Sequence, residues 1–229
     1  AKKYGIYGFC FYHYWFNGEK LLEKPAEQIL EDKTLNIPFC FSWANEAWSM
    51  EWVGKNQVIM PQFYGEKKEW KEHFDYLLPF FKDERYIKEN GKPLFVIYRP
   101  GSINCLSEMI KYWRELAKEA GFPDLVILNQ NPDFMINKKV DHSQIDYDIE
   151  FEPATSKLNM YGEKFKLVKS IRHRILDFTE KRFGWDLRKY GQNLMAKATN
   201  SQFPSYDATW ENILQRKPYS SKSIPTAFV

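Results

Sequence analysis

The residues best suited to chemistry are Trp43-Ala44-Asn45-Glu46-Ala47-Trp48, where an apolar run breaks off into a carboxylate, an amide and two indoles. A glutamate so placed can act as general acid, general base or nucleophile, and Asn45 beside it can hydrogen-bond a hydroxyl or orient the carboxylate. Trp43 and Trp48 offer flat faces on which a sugar ring can stack. The plainer alternative for Glu46 is a solvated loop side chain, and that is the preferred reading of Glu51 in the same loop.

A second acidic constellation is Ile145-Asp146-Tyr147-Asp148-Ile149-Glu150-Phe151-Glu152, which alternates without a break. In an extended strand the four carboxylates share one face and the four apolar residues the other. In a barrel the apolar face is expected to meet the helices, turning the acids toward the axis. Four like charges there need pairing, protonation or solvent, so Glu150 and Glu152, nearest the strand's C-terminal end, are the better site candidates. An edge strand with a solvated acidic face is the alternative. Asp146-Tyr147-Asp148 also matches the Asp-x-Asp pattern that holds a divalent cation and a sugar-nucleotide diphosphate, but three residues recur by chance and no metal site is predicted.

Further candidates are Asp207, after Phe203-Pro204-Ser205-Tyr206, and Arg99, after the run Leu94 to Tyr98. Arg99 can clamp a phosphate or pair with an acid. The tract Phe11-Tyr12-His13-Tyr14-Trp15-Phe16-Asn17-Gly18 carries amphipathic rings suited to sugar faces and hydroxyls, with His13 and Tyr14 the chosen candidates; a packed core strand is secure for Ile6 to Phe11. His13, His73, His142 and His173 lack metal-ligand spacing, and there is no Gly-x-Ser-x-Gly elbow, which argues against a zinc enzyme or a serine hydrolase.

These residues must be carried by a strand-helix alternation. Candidate strands are Ile6 to Tyr12, Ile37 to Trp43, Leu94 to Tyr98, Leu125 to Asn129 and Ile145 to Phe151, with weaker ones at Gln202 to Tyr206 and Pro225 to Val229. Leu106, Met109, Ile110, Trp113, Leu116, Ala117 and Ala120 recur at helical steps before Gly121 in the capping position. Trp70, Phe74, Leu77, Leu78 and Phe81 repeat the pattern, with Pro79 marking a kink or end. Near-continuous apolar strands between helices predict a parallel sheet, either a (β/α)8 barrel or a doubly wound sheet. The chain has neither Gly-x-Gly-x-x-Gly nor a phosphate-binding Gly-x-x-x-x-Gly-Lys-Ser/Thr sequence, so the barrel is preferred. The connection from Trp43 to Lys67 far exceeds the usual βα loop of roughly two to six residues, which favours a functional loop.

The chain has 229 residues, enough for one substantial core, and a single domain over 1–229 is expected. Aromatics are 17% of residues, with eight Trp and fourteen Tyr, more than packing alone requires. The formal charge of +3 is modest, and the basic stretch Glu163 to Lys189 is best read as a solvated helix face. Cys10, Cys40 and Cys105 lack CxxC spacing and are expected to be reduced and buried. No apolar stretch approaches the roughly 20 residues that span a bilayer.

The motifs together resemble the WbsX-type proteins, a glycosyltransferase family of polysaccharide-biosynthesis loci grouped with the glycoside hydrolase family 99-like (β/α)8 domains. The resemblance rests on Tyr4-Gly5-Ile6-Tyr7-Gly8-Phe9-Cys10-Phe11-Tyr12-His13-Tyr14-Trp15-Phe16, Leu21-Leu22-Glu23-Lys24-Pro25, Trp43-Ala44-Asn45-Glu46, Gly91-Lys92-Pro93 and Ile97-Tyr98-Arg99-Pro100. It implies that Glu46 is the site carboxylate, that Glu150 carries over from the family's Glu-Phe-Pro-Pro-His, and that Asp207 carries over from Phe-Pro-Ser-Trp-Asp-Asn-Thr. Glu152 is peculiar to this chain, and Ala47 to Gly54 replaces a family segment containing two arginines and an aspartate. It also implies that the first and last barrel strands lie outside this chain, so the barrel is expected to be incomplete.

The expectation is therefore a carbohydrate-active enzyme that transfers or hydrolyses a glycosyl group in bacterial surface polysaccharide biosynthesis. Glu46, Glu150 and Asp207 would be catalytic, and Tyr14, His13, Trp43, Asn45, Trp48, Arg99 and Glu152 would bind substrate. The alternatives are a catalytically silent saccharide-binding domain and a metal-dependent transferase using Asp146 and Asp148. The expected partner is a saccharide or sugar nucleotide, not nucleic acid, with no cofactor and no integral membrane segment. The expected location is cytoplasmic or at the inner face of the membrane.

Overall fold

The computed structural model describes residues 1–50, 57–130, 140–157, 159–160 and 205–227. Glu51, His173, the basic stretch 163–189, and the 202–204 and 228–229 ends of the two weaker strand candidates lie outside the described residues. The chain divides into two compact units, Ala1–Ile149 with Ser220–Ile224, and Glu150–Tyr219 with Pro225–Val229.

In the first unit the elements are β1 (Phe9–Phe16), β2 (Glu19–Leu21), α1 (Lys24–Glu31), β3 (Phe39–Trp43), β4 (Trp48–Ser49), β5 (Val58–Met60), α2 (Lys67–Lys82), β6 (Lys88–Glu89), β7 (Lys92–Ile97), α3 (Leu106–Glu119), β8 (Val126–Asn129) and β9 (Tyr147–Glu150). α4 (Tyr206–Gln215) belongs to the second unit, and β10 (Ser223–Pro225) starts in the first. The main sheet runs β10-β9-β8-β7-β3-β1-β2. β1, β3, β7, β8 and β9 are parallel neighbours in chain order, with Cys10 opposite Cys40, Ser42 opposite Val96 and Ile97 opposite Asn129. A doubly wound sheet would reverse its strand order at a switch point, and none occurs along these five strands. The described strands form an open sheet and no closed barrel, where the sequence leads one to expect an incomplete barrel lacking its first and last strands: among them β1 carries on its outer side only β2, a hairpin strand pairing along Tyr14 to Phe16. That hairpin turns on Asn17 and Gly18, both at positive φ, the backbone that a two-residue turn demands.

One face of the sheet is covered by helices. α2 buries Trp70, His73, Phe74, Leu77, Phe80 and Phe81, and α3 buries Leu106, Met109, Ile110, Trp113, Leu116 and Ala117, the same three-and-four spacing in both. They pack on Phe39, Phe41, Trp43, Phe95, Ile97 and Ile127, with Ala26, Ile29 and Leu30 of α1 at the margin. Pro79 sits inside α2, one turn from its end, removing one backbone donor shortly before the helix stops at Lys82. The start of α2 is held by a reciprocal capping box between Glu66 and Glu69. On the opposite face Val96, Val126 and Leu128 form a smaller cluster with Tyr147, Ile149 and Ile224.

Four expectations change. Ile6 to Phe11, expected as a packed core strand, joins the sheet only from Phe9 and is largely exposed, with Ile6 at 45% and Phe9 at 43%. Tyr206, expected to end a weak strand, instead opens α4, because Ser205 caps it by accepting from the Ala208 amide. Among the cysteines, Cys40 is buried but Cys10 is exposed, and all three are free. The acidic strand is turned the other way: Tyr147 and Ile149 join the helix-free cluster, while Asp146 accepts from Arg114 of α3 (2.8 Å) and the Ile127 amide, and Asp148 from Asn129 (2.7 Å). The cation on α3 makes that side the favourable one for a carboxylate.

Candidate functional site

The parallel strands deliver their C-terminal ends to one cleft of about 1020 Å³ in the first unit. Tyr12 and Tyr14 come from β1, Asn45 to Ser49 from the chain leaving β3, Val58 and Ile59 from β5, Gln62 and Tyr64 from the loop beyond it, and Tyr98, Arg99 and Ser102 from the chain leaving β7. Glu46 and Arg99 meet there, with Arg99 Nη1 2.9 Å from Glu46 Oε2 and both side chains partly open to solvent. The pair is held from behind. Asn45, wholly buried, acts as a substitute peptide: its Nδ2 donates to the Arg99 carbonyl (2.9 Å) and its Oδ1 accepts from the Arg99 amide (2.7 Å). Tyr64 donates its hydroxyl to the Asn45 carbonyl (2.9 Å), and Trp70 donates to the Tyr64 carbonyl (2.6 Å). The strand-end loops of β3 and β7 are thereby locked together, which places the carboxylate and the guanidinium.

Trp48 packs edge-on against Tyr14 (5.3 Å) and Phe16 (5.6 Å), anchoring the small β4-β5 hairpin beside β1. Burial pushes the Tyr14 phenol up, with the charges of Tyr12 and Glu46 adding, and burial likewise raises Tyr64. The cleft therefore presents neutral phenols around one ion pair. That combination offers hydrogen-bond donors and acceptors, ring faces and one carboxylate to a polyhydroxylated ligand.

Of the residues singled out from sequence, Tyr14, Asn45, Glu46, Trp48 and Arg99 line this cleft. His13 and Trp43 do not, because strand alternation sends them to the helix face. Trp43 is buried and donates its indole N–H to the Trp15 carbonyl. His13 Nε2 lies 2.8 Å from His73 Nε2 of α2, inside a box in which Tyr76 stacks on His13 (5.5 Å) and Trp15 on His73 (4.6 Å). One ring must donate and the other accept, so the two cannot both be protonated. Burial holds His13 down to about 3, with the Lys20 charge adding, and burial and His13 hold His73 well below the usual imidazole range.

Glu150, Glu152 and Asp207 belong to the second unit. There Arg216 donates two hydrogen bonds to Glu150 Oε2 (2.8 and 3.1 Å) and one to the Ser156 hydroxyl, and also forms an ion pair with Glu152. The Tyr219 amide donates to Glu150 Oε1 (2.8 Å), and the Ser156 amide to Glu152 Oε2 (3.1 Å). All three charged side chains are almost wholly buried, an arrangement that stabilises only while it is complete. Asp207 is exposed in the first turn of α4, where the helix dipole favours a negative charge. Among the described residues no group of three or more His, Cys, Asp or Glu is placed to hold a metal ion.

Sequence reasoning passed over Tyr12, Tyr64, Tyr98 and Arg216. The signal for Tyr12 was present, since residues two apart on a strand share a face and Tyr14 points to the cleft. Nothing local marks Tyr64 or Arg216, whose partners lie 19 and 66 positions away.

Fold and site together define an α/β protein with consecutive parallel strands, helices on one face, and a cleft at the strands' carboxyl ends. The chain belongs to the family described as Glycosyltransferase WbsX, whose sequence model matches residues 1–229. It is similar to a protein of Xanthomonas campestris pv. campestris strain B100 called "Uncharacterized protein WxcX", 26% identical over 216 residues, which covers 93% of this chain and 29% of that one. The protein of the same name from a second strain is 29% identical over 125 residues, covering 55% of this chain and 18% of that one. The chain thus spans less than a third of the curated relatives it matches. A solved structure titled "Glycoside hydrolase-like protein" aligns with a TM-score of 0.40 and 12% identity, over 72% of this chain and 52% of its own. No helix among the described residues is long and apolar enough to cross a membrane.

Proposed function

We propose that the first unit carries the saccharide site of a protein that transfers or hydrolyses a glycosyl group in bacterial surface polysaccharide synthesis. The observation that carries this reading is the Glu46–Arg99 ion pair in a cleft ringed by Tyr12, Tyr14, Trp48, Tyr64 and Tyr98, supported by membership of a family described as glycosyltransferases. In this reading Glu46 is the reacting carboxylate, serving as base or nucleophile, with the Arg99 guanidinium beside it at 2.9 Å. Tyr14 and Trp48 hold the sugar, and Asn45 acts through the backbone of Arg99 rather than on the ligand. Glu150 and Glu152, held by Arg216, serve the second unit's own packing. The unreversed strand order supports reading the sheet as an arc of a (β/α)8-type barrel.

The test is Glu46→Gln, assayed by mass spectrometry for glycosyl release or transfer from bacterial polysaccharide fragments. Loss of turnover with retained binding is expected, and undiminished turnover refutes the assignment. A catalytically silent saccharide-binding domain is the second reading, favoured by Glu46 being the lone carboxylate lining the cleft among the described residues. It predicts retention on a glycan array with no product.

A further inference from the structure

Tyr12 stands in the cleft as the acceptor of a hydrogen bond from inside the protein. Ser42, buried in the middle of β3, donates its hydroxyl to the amide oxygen of Gln130 (2.7 Å). With its oxygen occupied, that amide turns its nitrogen outward and donates to the Tyr12 hydroxyl oxygen (3.2 Å). Gln130 is only 9% exposed, and its own amide is anchored to the Ile97 carbonyl (3.0 Å) at the end of β7. A phenol has one proton, so when its oxygen accepts from inside the protein the O–H is left to donate outward. Outward here is the cleft: Tyr12 is 46% exposed and lines the same cavity as Glu46 and Arg99. Its ring packs against Tyr98 in a T-shaped arrangement (5.7 Å, 80°), which helps hold the Tyr12 side chain in place.

We propose that Tyr12 is a specificity residue of this cleft, donating its phenolic hydrogen bond to a hydroxyl oxygen of the bound saccharide, with Ser42 and Gln130 as positioning residues that set it as donor. The proposal rests on the saccharide reading above and adds the chemistry of one subsite: the sugar must present an oxygen acceptor there, and a deoxy sugar at that position is rejected. Tyr14, two residues along the same strand face, has no such relay among the described residues and is left to stack.

The test uses saturation-transfer NMR titrations with a panel of methyl glycosides covering neutral hexoses, N-acetylhexosamines and hexuronic acids, followed by the monodeoxy analogues of whichever binds best. The unmodified chain is expected to bind one monodeoxy analogue about 3- to 10-fold more weakly than its parent, the range of one net hydrogen bond. Tyr12→Phe should weaken the parent by the same factor and bind parent and analogue equally, because the lost hydroxyl and the lost donor belong to one contact. Gln130→Glu, at pH 8, reverses the relay: its carboxylate accepts from both Ser42 and Tyr12 and turns the phenol proton inward, leaving a phenol oxygen that only accepts, so the analogue O-methylated at that hydroxyl, an acceptor without a proton, should bind this variant more weakly than the unmodified chain while the phenol itself is unaltered. Thermal unfolding of each variant accompanies the titrations, and Tyr12→Phe, at a half-exposed position, keeps the test open if Gln130→Glu does not fold. Discrimination that survives Tyr12→Phe overturns the assignment while leaving the saccharide reading standing. Failure of every glycoside in the panel to bind the unmodified chain overturns both.

Discussion

Lowering the pH from 7 to 5 will destabilise the first unit through the buried imidazoles. His13 is held to about 3 by burial, against about 6.5 in an unfolded chain. Between those values the unfolded state takes up a proton that the folded state refuses, so stability is complete above the unfolded value and falls as the pH drops through it. Each proton contributes a slope of about 1.4 kcal/mol per pH unit, and His13 alone therefore costs about 2 kcal/mol between pH 7 and 5. His73, depressed by burial and by His13, adds a second contribution of the same sign. Asp83, lowered by Arg85 and Lys33, loses its contribution only below the ordinary carboxylate range of about 4 and leaves this window undisturbed. Urea unfolding followed by circular dichroism at both pH values, at constant ionic strength, measures the loss. The control is the double variant His13→Phe/His73→Phe, which removes both polar partners at once and keeps ring volume between Tyr76 and Trp15. Its pH dependence should be flatter by at least about 2 kcal/mol. If it loses as much stability as the unmodified chain between pH 7 and 5, the neutral-pair reasoning is refuted.

Arg216→Met leaves Glu150 and Glu152 buried without their cation and should cost about 3–5 kcal/mol in the second unit. Calorimetry checks this, and an unchanged unfolding profile would show that the network contributes nothing. Asn45→Ala strands the Arg99 amide and removes one of two hydrogen bonds to the Arg99 carbonyl, which keeps the Ser102 amide, and should cost about 1–3 kcal/mol. It should also slacken the Glu46–Arg99 pair, seen as weaker glycoside binding in the NMR titration; unaltered stability and binding would count against Asn45 as a brace.

The local reading succeeded where one element settles the matter. The spacing of Leu106 to Ala117 and of Trp70 to Phe81 is visible in any window of a dozen residues, and both helices occur. The continuous run ending at Trp43 reads as a strand buried on both faces, and every residue of β3 is buried. Weak strand ends fared worse, since Tyr206 follows a serine that caps a helix as readily as it ends a strand.

By itself the sequence determined the two long helices, the buried strands they cover and the delivery of Glu46 to the end of a strand, because these follow from periodicity and chain connection. Only the tertiary structure decided which face each strand turns to the helices. Alternation says that His13 and Trp15 share one side and Tyr12 and Tyr14 the other, but not which side meets His73. The same holds for Asp146, drawn to the helix side by Arg114, and for Glu46, paired with an arginine 53 positions away. A side chain's role follows from the partner it meets, and partners distant in the chain are chosen by packing rather than by local pattern.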